Sequence, residues 1–547
     1  MLVAPLILFI AALCLTIGAA PIGHQQAGQQ PPATPPAGAT PPAGQQGQPP
    51  PPARGGGGGR GNPTATLFTE TCAPCHGTDL AGGRAPSLFA ERLLTQNDDE
   101  TLMAKIRDGV PNTAMMPFKG TLNDQQIFQL VAYIRTAAAT MKDKPVFVPD
   151  PNNQTIKSEK QTFKIEVVAP GLETPWGLAF LPDGRLLVTE RPGRLRIIEK
   201  GKLLPDAVQG TPKVWERQDA GMLDVAVHPQ YAKNGWIYIA YTEVVPGYVA
   251  PPPAPPADPP ADPAAAGRGR GGRGGPPSPP SMTVFIRGKI DKSNHWVEEQ
   301  VLYRAPKELY TPSGAHYGTR FLFDKTGHVF YALGERGDMT NAQDLSKPLG
   351  KIHRINDDGS VPKDNPFVNT PSAIPTIWSY GHRNPEGLAW APDGLLWESE
   401  HGPTGGDEIN VIDKGKNYGW GVISMGMQPG ITERSHEGME QPIVYYTPTI
   451  APSGIAFYTG SKYPGWKNNL FVAALAGQQL RRLEITGRKV THQEAVFQQF
   501  GRVRAVTTGP DGLLYVLLQN PTGAGTNLSL SASTPGMVIR LVPVATK

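Results

Sequence analysis

Three observations predict a multidomain chain in which a small all-α domain is followed by an all-β, six-bladed β-propeller. One phrase, an apolar run, a Gly/Asp/Asn turn, a second apolar run and a polar end, occurs six times in the C-terminal part. Upstream lies Cys72-Ala-Pro-Cys75-His76, followed by the helical stripe Ile127, Leu130, Val131 and Ile134. Two Pro/Gly-rich stretches hold much of the chain's 63 Gly and 59 Pro and leave the rest with ordinary globular composition. At 547 residues the chain exceeds one small domain.

From the N-terminus, residues 1–20 are apolar and end in small residues, which predicts a signal peptide. An uncleaved anchor is the alternative, since about 20 apolar residues span a bilayer. Either places the protein in the periplasm or another extracytoplasmic space, the second with a membrane tether. Residues 21–62 are Pro, Gly, Gln and Ala and form a disordered tether, having too little apolar surface to fold. Cys14, Cys72 and Cys75 are the three cysteines, so a disulfide framework is excluded for the large C-terminal part. The formal net charge of +4 is no argument for nucleic acid.

C-x-x-C-H is the attachment sequence of haem c: two thiols for the vinyl groups and a His for the iron. A zinc site needs more soft ligands than this region offers, and a redox dithiol leaves His76 unexplained. Met115-Met116-Pro117 supplies a second axial ligand, and a Met/His pair raises the reduction potential, as an electron acceptor requires. Asn123 and Gln126 form a capping box before the apolar stripe. Residues 63–141 resemble the small class I cytochromes c, and that resemblance selects Met116 as the distal ligand.

Residues 142–160 are a polar linker, and the propeller is expected over 161–545. Its hairpins begin at Trp176, Leu223, Arg320, Gly387, Gly454 and Ala505. Repeats at tens of residues in an all-β segment indicate propeller blades. Residues 246–281, rich in Pro, Gly and Arg, read as a disordered insertion between strands rather than a basic binding patch.

The densest stretch runs from 381 to 420. Arg383-Asn384 precede one strand, and a loop rich in Gly, Pro and acid, His401 to Glu408, follows the next. Carbonyls beside carboxylates suit Ca2+, and a planar bidentate donor beside an amide suits a carboxylated ligand. GHRNPEGLAW, SEHGPTGGDEIN and KGKNYGW together resemble the soluble glucose/sorbosone and aldose sugar dehydrogenases that use pyrroloquinoline quinone (PQQ), over residues 163 to 543. The resemblance implies a six-bladed propeller that oxidises an aldose at C1 to a lactone and passes electrons to the fused haem. An external cytochrome or quinone-linked carrier would take them on.

By the same resemblance His316 is the catalytic base, and Arg383, Asn384, Arg502 and Arg504 bind PQQ. Gly402 and Pro403 offer carbonyls to a Ca2+ that also binds PQQ, while Glu408 and Tyr418 hold a structural Ca2+. Three positions depart from the family pattern. Ala476 stands where a PQQ-contacting Lys is usual, Ala315 replaces an Asp or Asn before the base, and Asp219 takes a Gln position with Gln218 one residue earlier. The rival reading is a propeller that has lost PQQ and binds carbohydrate or protein beside an electron-transfer cytochrome. A metal-dependent hydrolase would show a carboxylate cluster at the axis in place of the arginines.

Overall fold

The computed structural model describes residues 62–544, apart from positions within 78–96, 112, 114, 142–147, 149, 250–278 and 520–534. The expected signal segment, the Pro/Gly tether and most of the 246–281 insertion lie outside the described residues. Among the described residues, no helix is long and apolar enough to cross a membrane.

The N-terminal domain is built on α1 (Pro63–Thr71), α2 (Ala73–His76), α3 (Asp99–Asp108) and α4 (Asp124–Met141). The Asn62 carboxamide caps α1 by accepting from Thr64 and Ala65 N–H, and Pro63 loses nothing at the first helical position. Asn123 and Gln126 exchange backbone-to-side-chain hydrogen bonds of 3.0 and 2.8 Å, so the capping box starts α4. The stripe Ile127, Leu130, Val131 and Ile134 is buried with Phe68 and Met103. Sequence alone gave no notice of α3, which Asp98 caps through Thr101 N–H.

The remainder is a six-bladed β-propeller. Five four-stranded antiparallel sheets follow in chain order, and a five-stranded sheet closes the ring. The innermost strands are Pro175–Phe180, Met222–Val227, Phe321–Phe323, Pro385–Trp390, Pro452–Phe457 and Val503–Thr508. Each belongs to one of the six hairpins seen in the sequence, and each packs on the next around the ring. Closure is made by Thr162–Leu172 pairing with the C-terminal strand Gly536–Pro543, from Phe163↔Pro543 to Leu172↔Gly536. The expected linker ends earlier than 160, because Thr155–Lys157 adds an outer strand to this sheet and Ile156 packs on its core.

Both faces of each sheet are apolar, and each junction between neighbouring blades has its own cluster of buried side chains. At the closure junction Phe163, Trp466, Phe471 and Val516 are fully buried. The insertion leaves from Val244 and returns at Ser281, which face each other in the second blade's ladder, so its length leaves the sheet intact.

All six innermost strands, or the residue just before one, contribute to a polar layer at the axis. Asp224 accepts from Arg320 Nη1 at 2.9 Å, and Arg504 Nη1 donates to Glu386 at 2.5 Å and to Ser453 Oγ at 3.2 Å. The Trp176 ring lies between the Arg320 and Arg504 guanidinium groups, 4.4 and 5.0 Å from its centroid. Buried charges are held only when paired, and this layer pairs them across the ring.

Candidate active site

The polar end of each hairpin opens where strands give way to loops. His316, in the loop before the third blade, has a left-handed backbone, φ 55°. Its Nδ1 is hydrogen-bonded to Glu335 Oε1, and Glu335 is 1% exposed. A carboxylate accepts, so Nδ1 carries the proton and Nε2 remains as the basic nitrogen. Glu335 N–H in turn donates to the Arg383 carbonyl at 2.9 Å, which ties the His316–Glu335 pair to the fourth blade. Gly334 is obligatory here, since a Cβ would lie 2.2 Å from the His316 carbonyl oxygen.

Asp219 Oδ2 accepts from His316 N–H at 3.4 Å, so the residue at the displaced Gln position holds the His316 backbone. Beyond Ala315, Arg336 lies over the Tyr317 ring at 3.4 Å and donates to the Ala315 and Ser313 carbonyls. These bonds fix the loop without the Asp or Asn usual at position 315.

The four residues expected to bind the cofactor fall into two kinds. Arg383 donates to the His401 carbonyl at 3.1 Å, and its Nε is buried without a partner; Arg502 Nε is likewise buried and unpartnered. Burial pulls both guanidinium groups below their usual pKa. An anionic, carboxylated ligand fits those two orphaned donors. Arg504 and Asn384 differ from expectation. Arg504 is committed to Glu386, Ser453 and Gln519. Asn384, 2% exposed, accepts from Gly318 N–H at 2.9 Å and donates to Glu386 at 3.1 Å. Arg502 and Arg504 flank Val503 at an irregularity of the strand, and an acid 118 residues away claims the second. Ala476, in the place of the family Lys, is exposed just past the strand Leu470–Ala474.

Gly402, Pro403, Glu408 and Tyr418, expected at two cation sites, line one cavity of ≈ 10 Å³ together with Glu400. That volume holds one ion or water. Asp407 shapes the loop by accepting from Gly402 N–H at 2.9 Å and from Ile450 and Ala451 N–H at 2.7 and 2.8 Å. Gly406, φ 71°, lies so close to the neighbouring segment that a Cβ would be 2.2 Å from Gly426 N.

Of the lining residues, Glu400 and Glu408 face each other across paired strands, and next to them Glu398 faces Asn410. Like charges directly opposite are destabilising. Burial, and then Glu400, push Glu398 and Glu408 well above the usual carboxylate range. Among the described residues, His382, Glu398 and Glu400 also bring ligand atoms within 4.8 Å of one another. A hard cation with oxygen ligands fits this donor set.

Sequence reasoning missed Glu335, Glu386, Glu398 and Glu400. Three of these were within reach, because Glu335, Glu398 and Glu400 stand at the acidic ends of repeated hairpins. At the haem motif, Cys72 is half-buried, Cys75 is exposed and both thiols are free, which fits thioether attachment. Met116 is 66% exposed, whereas Met115 lies against the domain core.

The comparisons agree with this layout. The family described as Glucose / Sorbosone dehydrogenase matches residues 172–529, and Cytochrome C oxidase, cbb3-type, subunit III matches residues 60–134. Aldose sugar dehydrogenase YliI of Escherichia coli (strain K12) is 38% identical over 371 residues, 66% of this chain and 91% of that protein. The structure of the soluble aldose sugar dehydrogenase from Escherichia coli in the apo-form aligns with TM-score 0.59 and 34% identity, covering 70% of this chain and all of that one. The PQQ-bound form of aldose sugar dehydrogenase from Streptomyces coelicolor aligns with TM-score 0.53 and 25% identity, covering 72% of this chain and all of that one. The chain belongs to the glucose/sorbosone dehydrogenase family, with a cytochrome c domain fused at the N-terminal side of its propeller.

Proposed function

We propose that the protein is an extracytoplasmic quinohaemoprotein that oxidises an aldose at C1 to the lactone. When bound, PQQ supplies the acceptor for the hydride leaving C1, and haem c supplies a one-electron carrier through which two electrons per sugar pass to an external cytochrome or quinone-linked carrier. His316 Nε2 takes the proton from the anomeric hydroxyl. Glu335 holds the ring in the tautomer that leaves Nε2 free, a positioning role, and stabilises the imidazolium once the proton arrives. Arg383 and Arg502 would hold the carboxylates of the quinone, and Arg504 and Asn384, both bonded to Glu386, would serve as bracing residues. The cavity below Gly402 and Pro403, with Glu400, Glu408 and Tyr418, takes Ca2+. In the N-terminal domain Cys72 and Cys75 would carry haem c, with His76 and the exposed Met116 as its iron ligands.

The observation that carries this reading is the His316–Glu335 pair together with two half-buried arginines, Arg383 and Arg502, whose Nε atoms are buried and unpartnered. Ala476 favours a second reading, a sugar- or protein-binding propeller without PQQ. Titration with PQQ in the presence of Ca2+ separates the two. Dye-linked turnover of an aldose panel, with the product identified, tests the chemistry: a lactone and a slower rate with deuterium at C1 support it. Absence of PQQ binding sinks it and leaves the binding module.

A further inference from the structure

The fourth blade departs from its neighbours between the strand Asp407–Ile412 and its outer strand Val444–Tyr446, where a 31-residue excursion runs over residues 413–443. Within it, Ile423 and Ser424 line the candidate ion cavity. The next residue, Met425, packs with Tyr445 on the apolar core of the haem domain. One short segment therefore has the cavity on one side and the haem domain on the other.

The polar contacts converge on α3 and α4. Arg434 Nη2 donates to Glu100 Oε1 at 3.0 Å, its Nη1 lies 3.3 Å from Met103 Sδ, and its guanidinium stands 4.6 Å from the Phe128 ring centroid. Tyr445 O–H donates to Asp99 Oδ2 at 2.7 Å, and its ring meets Phe128 edge-on at 6.2 Å. Asp99 is held ready by Arg135, whose Nε donates to the other carboxylate oxygen at 2.5 Å.

We propose that this excursion and the outer strand that follows it are a docking platform for the haem domain, with Arg434 and Tyr445 as its anchors, so that electrons leave the propeller from a bound complex rather than from tethered collisions. The contact is a few side chains wide, the scale of weak redox encounters. Residence in one chain supplies the effective concentration that such a contact lacks. Arg434 is the specificity element: it reads a carboxylate, a thioether and an aromatic face at once, which a lysine cannot do. The electron-transfer consequence rests on the proposed function; the docking itself does not.

Amide hydrogen exchange on the haem-loaded full chain, without PQQ or sugar, tests the docking. Arg434→Glu should speed exchange about tenfold or more in both 99–108 and 428–446. The pair Arg434→Glu/Glu100→Arg should recover most of that protection, and the haem absorbance spectrum should stay as in the wild type. Unchanged exchange in Arg434→Glu combined with Tyr445→Phe overturns the proposal, and so does a change confined to 428–446, which marks local unfolding. In the PQQ- and Ca2+-loaded protein, Arg434→Glu should slow sugar-driven haem reduction at least about tenfold while turnover with a small-molecule dye stays unchanged; equal haem reduction rates overturn the electron-transfer role. A wild type that never reduces its haem is a failure of the dehydrogenase reading, and the exchange result then still decides the docking.

Discussion

His316 and Glu335 form a part-buried pair: the imidazole Nδ1 meets the carboxylate of a residue that is 1% exposed and whose backbone N–H donates to the Arg383 carbonyl. Removing the base should cost far more than removing its partner's charge. His316→Ala should lower kcat by about 10²–10⁴. Glu335→Gln keeps the shape but no longer favours the productive tautomer, so kcat should fall with KM little changed. Steady-state kinetics checks both.

The axial layer predicts an acid transition. Burial opposes ionisation of Glu386, but His401, Arg504 and Arg320 outweigh it and hold its pKa at about 2, against an ordinary 4.5. A carboxyl with a depressed folded pKa contributes stability that is present above about 4.5 and is lost as pH falls towards about 2. That depression corresponds to about 3 kcal/mol. Urea unfolding of Glu386→Gln should show a loss of that order at pH 7 and a flatter profile between pH 4.5 and 2.

The opposed carboxylates Glu400 and Glu408 predict a cation-dependent fold. Chelation should lower Tm, and added Ca2+ should restore it. Glu408→Gln relieves the repulsion, so the variant should be less sensitive to chelator and should gain less from Ca2+. Differential scanning calorimetry with and without EGTA measures this directly.

Ring closure gives a stability prediction far from the site. Phe163 and Trp466 are fully buried and meet edge-on at 5.5 Å where the first and last strands join. Trp466→Ala should cost about 3–5 kcal/mol, measured by chemical unfolding, while His316 chemistry in the surviving folded fraction stays normal.

The hairpins were legible because a period-2 apolar pattern around a Gly/Asp/Asn turn is local information. The closure was not: Phe163 pairs with Pro543, and nothing near either residue announces the other. The 155–157 strand was hidden for the same reason, since it is polar and its order comes from Lys164, Phe163 and Thr162 opposite. In the site, His316 and the Gly402–Glu408 loop were found through motifs. Arg504 read as a cofactor ligand because its neutralising acid, Glu386, is remote in sequence. Glu398 and Glu400 alternate onto one strand face, but their charge conflict exists only once Glu408 lies opposite.

The central claim is a propeller that takes electrons from an aldose and delivers them to its own haem. The measurement is the reduced-haem absorbance of haem- and Ca2+-loaded protein as an aldose is added, with and without PQQ. The account predicts haem reduction that requires PQQ and disappears in His316→Ala. Reduction that persists without PQQ or without His316, or PQQ-dependent sugar oxidation that leaves the haem oxidised, would contradict it.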